Sequence, residues 1–167
     1  MTRRCDNGVT LIELCFGLAV VAILAGLAAP GFRASLRATA VRAAAYELMA
    51  GVQQARADAI TTSRPGLLCP TDSRGNCLGA AIAAHAWRSL PDGPAAPGTG
   101  AGAIHLLDAG VTLRASRAPL RFRPGSLSAT PSTLTICDTQ HVAAPRAIVV
   151  SQTGRARFAA PDIAECA

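Results

Sequence analysis

Gly154-Arg155-Ala156-Arg157 sets two guanidinium groups two residues apart directly after a glycine. In an extended segment, residues i and i+2 point to the same side. The pair therefore presents two planar donor forks side by side, a pattern suited to bidentate contact with neighbouring phosphates of one strand. The surrounding residues carry the same sign. Between residues 114 and 157, seven arginines (Arg114, Arg117, Arg121, Arg123, Arg146, Arg155 and Arg157) stand against one acid, Asp138. The whole chain has 16 basic residues, none of them lysine, and a formal net charge of +6. A clustered excess of this kind is the electrostatic footprint of a polyanionic partner such as nucleic acid. The same four residues also read as a glycine turn followed by edge arginines that deter strand-to-strand aggregation.

A second chemical anomaly lies near the other end. From Leu14 to Ala29 no residue is charged or strongly polar, and with Leu11 and Ile12 the run approaches the ~20 residues needed to span a bilayer. Glu13 interrupts it. An unpaired carboxylate in mid-membrane costs on the order of 2.5 to 3.5 kcal/mol, so Glu13 requires a partner. A secretory signal with a small-residue cleavage site at Leu27-Ala28-Ala29, or a plain anchor, explains the hydrophobicity and the flanking Arg3 and Arg4 but not the acid.

Catalytic chemistry has little support. His85, His105 and His141 are scattered, and no serine or cysteine stands in a glycine-flanked nucleophile motif. Neither a metal nor a cofactor is expected. Cys69 and Cys77 are too widely spaced for a zinc knuckle and have no second close pair beside them. Cys5 and Cys15 fall in or before the apolar run, which leaves Cys69, Cys77, Cys137 and Cys166 as an even set in the exported part; four cysteines allow three pairings.

These groups need elements to position them. After Pro30 and Gly31, where proline should kink a helix, Leu36, Ala40, Val41, Ala44, Leu48, Val52, Ala55 and Ala59 recur at three- and four-residue spacing. This predicts an amphipathic helical continuation over residues 31–63, ended by Arg64-Pro65-Gly66. The period then becomes extended. Leu67-Leu68, Ala81 to Trp87, Ile104 to Leu107, Val111 to Arg114, Leu120 to Phe122, Thr133 to Cys137, Ala147 to Ser151 and Arg155 to Phe158 read as short strands of a β-rich head over 64–167. The Pro- and Gly-rich stretch from Pro91 to Gly102 reads as a surface loop. Trp87, Phe122 and Phe158 are able to stack on bases where exposed; as the few large apolar residues of the head they are expected in its core.

Gly8-Val9-Thr10-Leu11-Ile12-Glu13, preceded by Arg3 and Arg4, resembles the type III signal of type IV pilins and pseudopilins, with Val9 where phenylalanine is usual. The resemblance implies a leader over 1–8 removed by a prepilin peptidase between Gly8 and Val9, and methylation of the new terminus. It also implies a transmembrane helix over 9–30 and an assembly role for Glu13 at mature position five. Phe122-Arg123-Pro124-Gly125, Leu134-Thr135-Ile136-Cys137-Asp138 and the run from Ala147 to Arg157 look like the C-terminal pattern of the GspH/FimT family of minor pilins and pseudopilins. What that implies is an α+β, type IV pilin-like fold, with a long N-terminal helix packed on a head of small antiparallel sheets and bridges Cys69–Cys77 and Cys137–Cys166. It further implies a single pass of the inner membrane with the head in the periplasm, extracellular once assembled, and other pilins or pseudopilins as partners. FimT-like members carry a Gly-Arg-any-Arg motif that binds DNA in natural transformation. The matching residues here are Gly154, Arg155 and Arg157, with Arg146, Arg121 and Arg123 as weaker candidates for sequence-nonspecific contact. A structural pseudopilin of a type II secretion system, with protein partners alone, is the alternative.

Overall fold

The computed structural model describes residues 10–91, 102–125, 128–161 and 166. Gly8, Val9 and most of the loop expected between Pro91 and Gly102 lie outside the described residues. The elements are α1 (Leu11–Thr62), β1 (Gly66–Thr71), β2 (Ala86–Pro91), β3 (Ile104–Leu106), β4 (Val111–Ala115), β5 (Leu120–Phe122), β6 (Ser132–Asp138), β7 (Arg146–Val150) and β8 (Ala156–Ala159). The chain divides into two compact units, residues 1–36 and 37–167.

In the first unit, α1 starts on a Thr10 cap. Thr10 Oγ1 accepts the Glu13 N–H at 3.3 Å, and the Thr10 carbonyl accepts from Leu14. Glu13 thus lies in the first helical turn, where the exposed N–H groups and the helix dipole favour a carboxylate. That local role is legible in Thr10-x-x-Glu13, a capping-box spacing. The helix continues through Pro30 and carries a window of mean hydropathy 2.5, long and apolar enough to cross a membrane.

Among the described residues of the second unit, eight strands form two antiparallel four-stranded sheets, ordered β3-β2-β1-β5 and β4-β6-β7-β8. The buried stripe of α1 is Val41, Ala44, Ala45, Leu48, Gly51, Val52, Ala55 and Ala59. Small side chains dominate it, which lets the sheets approach closely. Leu36, expected in the stripe, is 55% exposed, and packing on the core begins at Ala38 and Ala40. Gly51 is a point of close approach, because a Cβ built there would overlap the Trp87 indole. Trp87 is buried and stacks on His105 at a centroid distance of 4.1 Å. Glu47 on α1 holds that imidazole through a 2.9 Å contact with Nδ1.

Several strand ends shift by a residue or more, and the largest departure from the sequence reading is β2, which runs past Trp87 to Pro91, the residue expected to open the surface loop. Ala81 to His85 lies outside β2; Ala81 has φ +61°, and Ala84 instead exchanges two backbone hydrogen bonds of 2.8 Å with Leu113. With Ala84 committed to Leu113, β2 starts at Ala86 and pairs along β1 from Thr71↔Ala86 to Gly66↔Pro91. Each sheet also carries a disulfide: Cys69–Cys77 off β1 and Cys137–Cys166 off β6, with Cα separations of 5.5 and 5.6 Å.

Candidate nucleic-acid interface

Sequence chemistry dictates the turn that precedes the arginine pair. In Ser151-Gln152-Thr153-Gly154, the Gly154 N–H donates to the Ser151 carbonyl at 2.9 Å, the Ser151 N–H to Arg155 O at 3.0 Å, and the Ser151 hydroxyl accepts the Arg155 N–H at 3.2 Å. Gly154 has φ +71°, the left-handed geometry that closes such three-residue hairpin loops. A Cβ there would meet only ordinary contacts with Phe122 and Ala129, at 3.5 Å and beyond, so the backbone angle and not space demands glycine. The turn is tied sideways as well, because the Ala129 N–H donates to the Gln152 carbonyl at 2.7 Å.

The hairpin delivers its arginines to a free edge. β8 is the last strand of its sheet, with Val150↔Ala156, Val149↔Arg157 and Ile148↔Phe158 opposite one another. Directly opposed residues share a face. Ile148 and Val150 are buried in the core, so Ala156 and Phe158 face α1 while Arg157 faces outward. Arg155, one residue before β8, falls on the outward side by the same alternation, and both arginines are exposed. Arg114 on β4 pairs with Thr135 and shares the outward face. Among the described residues, no acid lies within ion-pair distance of Arg155 or Arg157.

The fold also brings the next arginines to the turn. Arg121, Arg123, Ser128, Ala129, Thr130, Pro131 and Gln152 line an open groove of about 400 Å³. Gly154 packs over Phe122, the residue between the two arginines, and Arg56 of α1 borders the same contact with Arg123. Gln152 and Arg56 were not singled out in the sequence. Gln152 had a signal, its place in the turn before the glycine; Arg56 had none beyond helical spacing.

Arg146 is separated from this group. Its register partner is Ile136, a core residue, so Arg146 belongs to the inward side and lines a different cavity with Arg42, Ala45, Tyr46 and Phe158. Phe158 departs from the core placement expected for it. It faces α1 and meets Tyr46 edge-on at 5.2 Å, yet remains 41% exposed, because an edge strand has a neighbour on one side only. Trp87 and Phe122 are both buried, at 2% exposure.

The remaining acid of this region is structural. Asp138 ends β6, is 2% exposed, and accepts N–H groups from Gln140, Val142 and Ala143 at 3.0 to 3.2 Å. Burial pushes its carboxyl up, but those three backbone donors and the Arg37 charge outweigh it and hold the group below its ordinary value. Arg37 in turn donates to Ala109 O at 2.6 Å. Asp138 is therefore occupied inside its own turn and leaves the outward arginines uncompensated.

Residues 44–154 match the family model described as Type II transport protein GspH. The chain belongs to that family. It is a family of structural pilins and pseudopilins, not of enzymes. The match stops at Gly154, one residue before the arginine pair. Two crystal forms of the type IV minor pilin FimU from Pseudomonas aeruginosa PAO1 are similar in structure, each with TM-score 0.50 and 22% identity. They cover 71% of this chain and 87% or 91% of their own. That likeness establishes the fold: a long apolar N-terminal helix followed by antiparallel sheets, as in type IV pilins. No curated protein matches in sequence.

Proposed function

We propose that this GspH-family chain is a minor pilin that contacts DNA through the β7–β8 hairpin during DNA uptake in natural transformation. A prepilin peptidase removes residues 1–8 between Gly8 and Val9, residues 9–30 cross the inner membrane, and 31–63 carry the helix onto a periplasmic head of residues 64–167. On assembly into a type IV pilus the head becomes extracellular. Glu13, in the first turn of α1, pairs there with the α-ammonium of Val9 on a neighbouring subunit, a contact that low dielectric strengthens. The observation that carries the DNA reading is the outward pair Arg155 and Arg157 on a free strand edge, uncompensated by acid among the described residues. The groove holding Arg121 and Arg123 beside the same turn extends the basic surface. Phosphate contacts of this type give affinity without sequence preference.

The test uses the full-length chain in detergent or nanodiscs with a fluorescent duplex of arbitrary sequence. Binding should weaken steeply with salt, and replacing both Arg155 and Arg157 by glutamine should reduce the log–log salt slope by about 1.8. An unchanged slope, or no binding at ~50 mM salt, transfers the chain to the second reading. That reading, a structural pseudopilin of a type II secretion system with protein partners only, is favoured by the description of the matching family model. Loss of exoprotein secretion on deletion supports it; loss of transformation supports the first.

A further inference from the structure

Arg42 and Tyr46 are four residues apart on α1 and so lie on one face of the helix. Across from them, β7 contributes Arg146 and β8 contributes Phe158, and together with Ala45 these residues line an open cavity of about 90 Å³. The aromatic pair is in edge-on contact at 5.2 Å, yet Tyr46 remains 67% exposed and Phe158 41% exposed. Arg42 and Arg146 are exposed too, and among the described residues neither has an acid within ion-pair distance. The floor is firm, since Ala45 is buried and Ile148, opposite Phe158, belongs to the core. Exposed tyrosine, phenylalanine and arginine around a small concavity is the composition of an interface centre, where large rigid side chains and charged forks carry most of the binding energy. The core of the head does not require it.

We propose that this patch docks a protein segment that places a carboxylate between Arg42 and Arg146 and an adjacent apolar side chain against Tyr46 and Phe158. Charge decides the first half of that assignment: two guanidinium forks converging on one cavity match a carboxylate in the bidentate geometry arginine favours. The exposed aromatic pair decides the second: Tyr46 and Phe158 meet edge-on beside the arginines and leave apolar ring surface uncovered, which suits an apolar side chain next to the carboxylate. The patch also lies on the inward-facing side of the sheet, away from Arg157, so its occupant is distinct from whatever the hairpin edge holds. The proposal does not depend on the DNA reading.

Tyr46 is the chain's one tyrosine, so labelling with 3-fluorotyrosine gives a single fluorine resonance inside the patch. The full-length chain in detergent micelles is titrated with the acetylated, amidated peptide Glu-Leu-Glu-Leu and, separately, with its Gln-Leu-Gln-Leu counterpart. The Glu peptide should shift the resonance saturably, and the Gln peptide should bind at least tenfold more weakly. Combined Arg42→Gln and Arg146→Gln should abolish the difference between them, whereas Arg155→Gln with Arg157→Gln should leave it intact. Phe158→Ala should weaken the Glu peptide while leaving the preference for Glu over Gln. Equal response to both peptides, no response, or a shift that survives loss of both patch arginines overturns the proposal. So does saturable displacement of the Tyr46 resonance by a single-stranded oligo-dT that requires Arg42 and Arg146 but not Arg155 or Arg157, which would make the patch a nucleic-acid site.

Discussion

The two sheets of the head have the same number of strands, the same antiparallel pairing and one disulfide each, but they end differently. One outer strand of the first, β3, is short and exposes Ile104 and Leu106, and it is held down by His105, which stacks on Trp87 and contacts Glu47 of α1. One outer strand of the second, β8, together with the residue before it, turns Arg157 and Arg155 outward with no described acid to hold them. An edge is a hazard because its backbone groups are unpaired, and a protein blunts it either by fastening it or by charging it. The β3 edge is fastened and the β8 edge is charged. Of these two edges, the charged one offers groups that folding leaves unused, and DNA contact is proposed there for that reason.

That contrast can be broken most strongly at Trp87. Trp87→Ala should cost about 3 to 5 kcal/mol, a large share of the ~5 to 15 kcal/mol that keeps a domain folded. Gly51→Ala sharpens the point through its sign. Alanine normally stabilises a helix interior by about 1 kcal/mol over glycine; here the added methyl meets the indole, so the variant should unfold at lower temperature. For the full-length chain in detergent, fluorescence of Trp87, the chain's one tryptophan, reports the Gly51→Ala transition, and far-ultraviolet circular dichroism reports that of Trp87→Ala, which lacks the fluorophore.

Next come the two bridges, which close loops of different length. The sequence separations are 29 for Cys137–Cys166 and 8 for Cys69–Cys77. Loop-closure entropy gives roughly 3.5 kcal/mol for the longer and roughly 2.5 for the shorter. Serine pairs at each site, compared by urea unfolding, should keep that order; a reversed order would mean that the shorter bridge holds native structure beyond its loop.

A smaller effect, confined to the second sheet, is expected from Asp138. Its folded carboxyl is held below the ordinary value of 3.8, so the folded state binds its proton less readily than the unfolded chain does. The stability it contributes is therefore present above that value and lost as pH falls through the depressed pKa. Asp138→Asn should cost about 1 to 3 kcal/mol at neutral pH and remove that component of the acid sensitivity, as read by thermal unfolding across pH 2 to 7.

The smallest stability effect should come from the charged edge itself. Replacing Arg155 and Arg157 by glutamine should change stability by no more than about 0.5 kcal/mol, in contrast to its effect on the salt dependence of DNA binding. A larger loss in the thermal transition would show that the edge, like β3, serves the fold.

How much of this was legible in the chain follows from the range of the interactions. The helix stripe, the change to extended period at residue 66, the turn before Arg155 and the shared side of Arg155 and Arg157 all follow from local chemistry: side-chain period, a glycine able to adopt positive φ, and alternation along a strand. Thr10 and Glu13 likewise declare a helix start within four residues. Ala81 to His85 misled because small apolar residues are compatible with a strand, and it was the distant Leu113 that paired with Ala84. Arg146 could not be separated from Arg155 and Arg157 by counting charges, because its side was set by pairing with Ile136 on another strand. The same holds for Trp87 against Gly51, 36 positions away, and for Arg42 and Tyr46 meeting Phe158. By itself the sequence determined which groups exist and which local conformation each one favours; only the tertiary structure decided which of them meet. Register and packing are choices among many partners of similar local fitness, and they are made by simultaneous burial of the whole core.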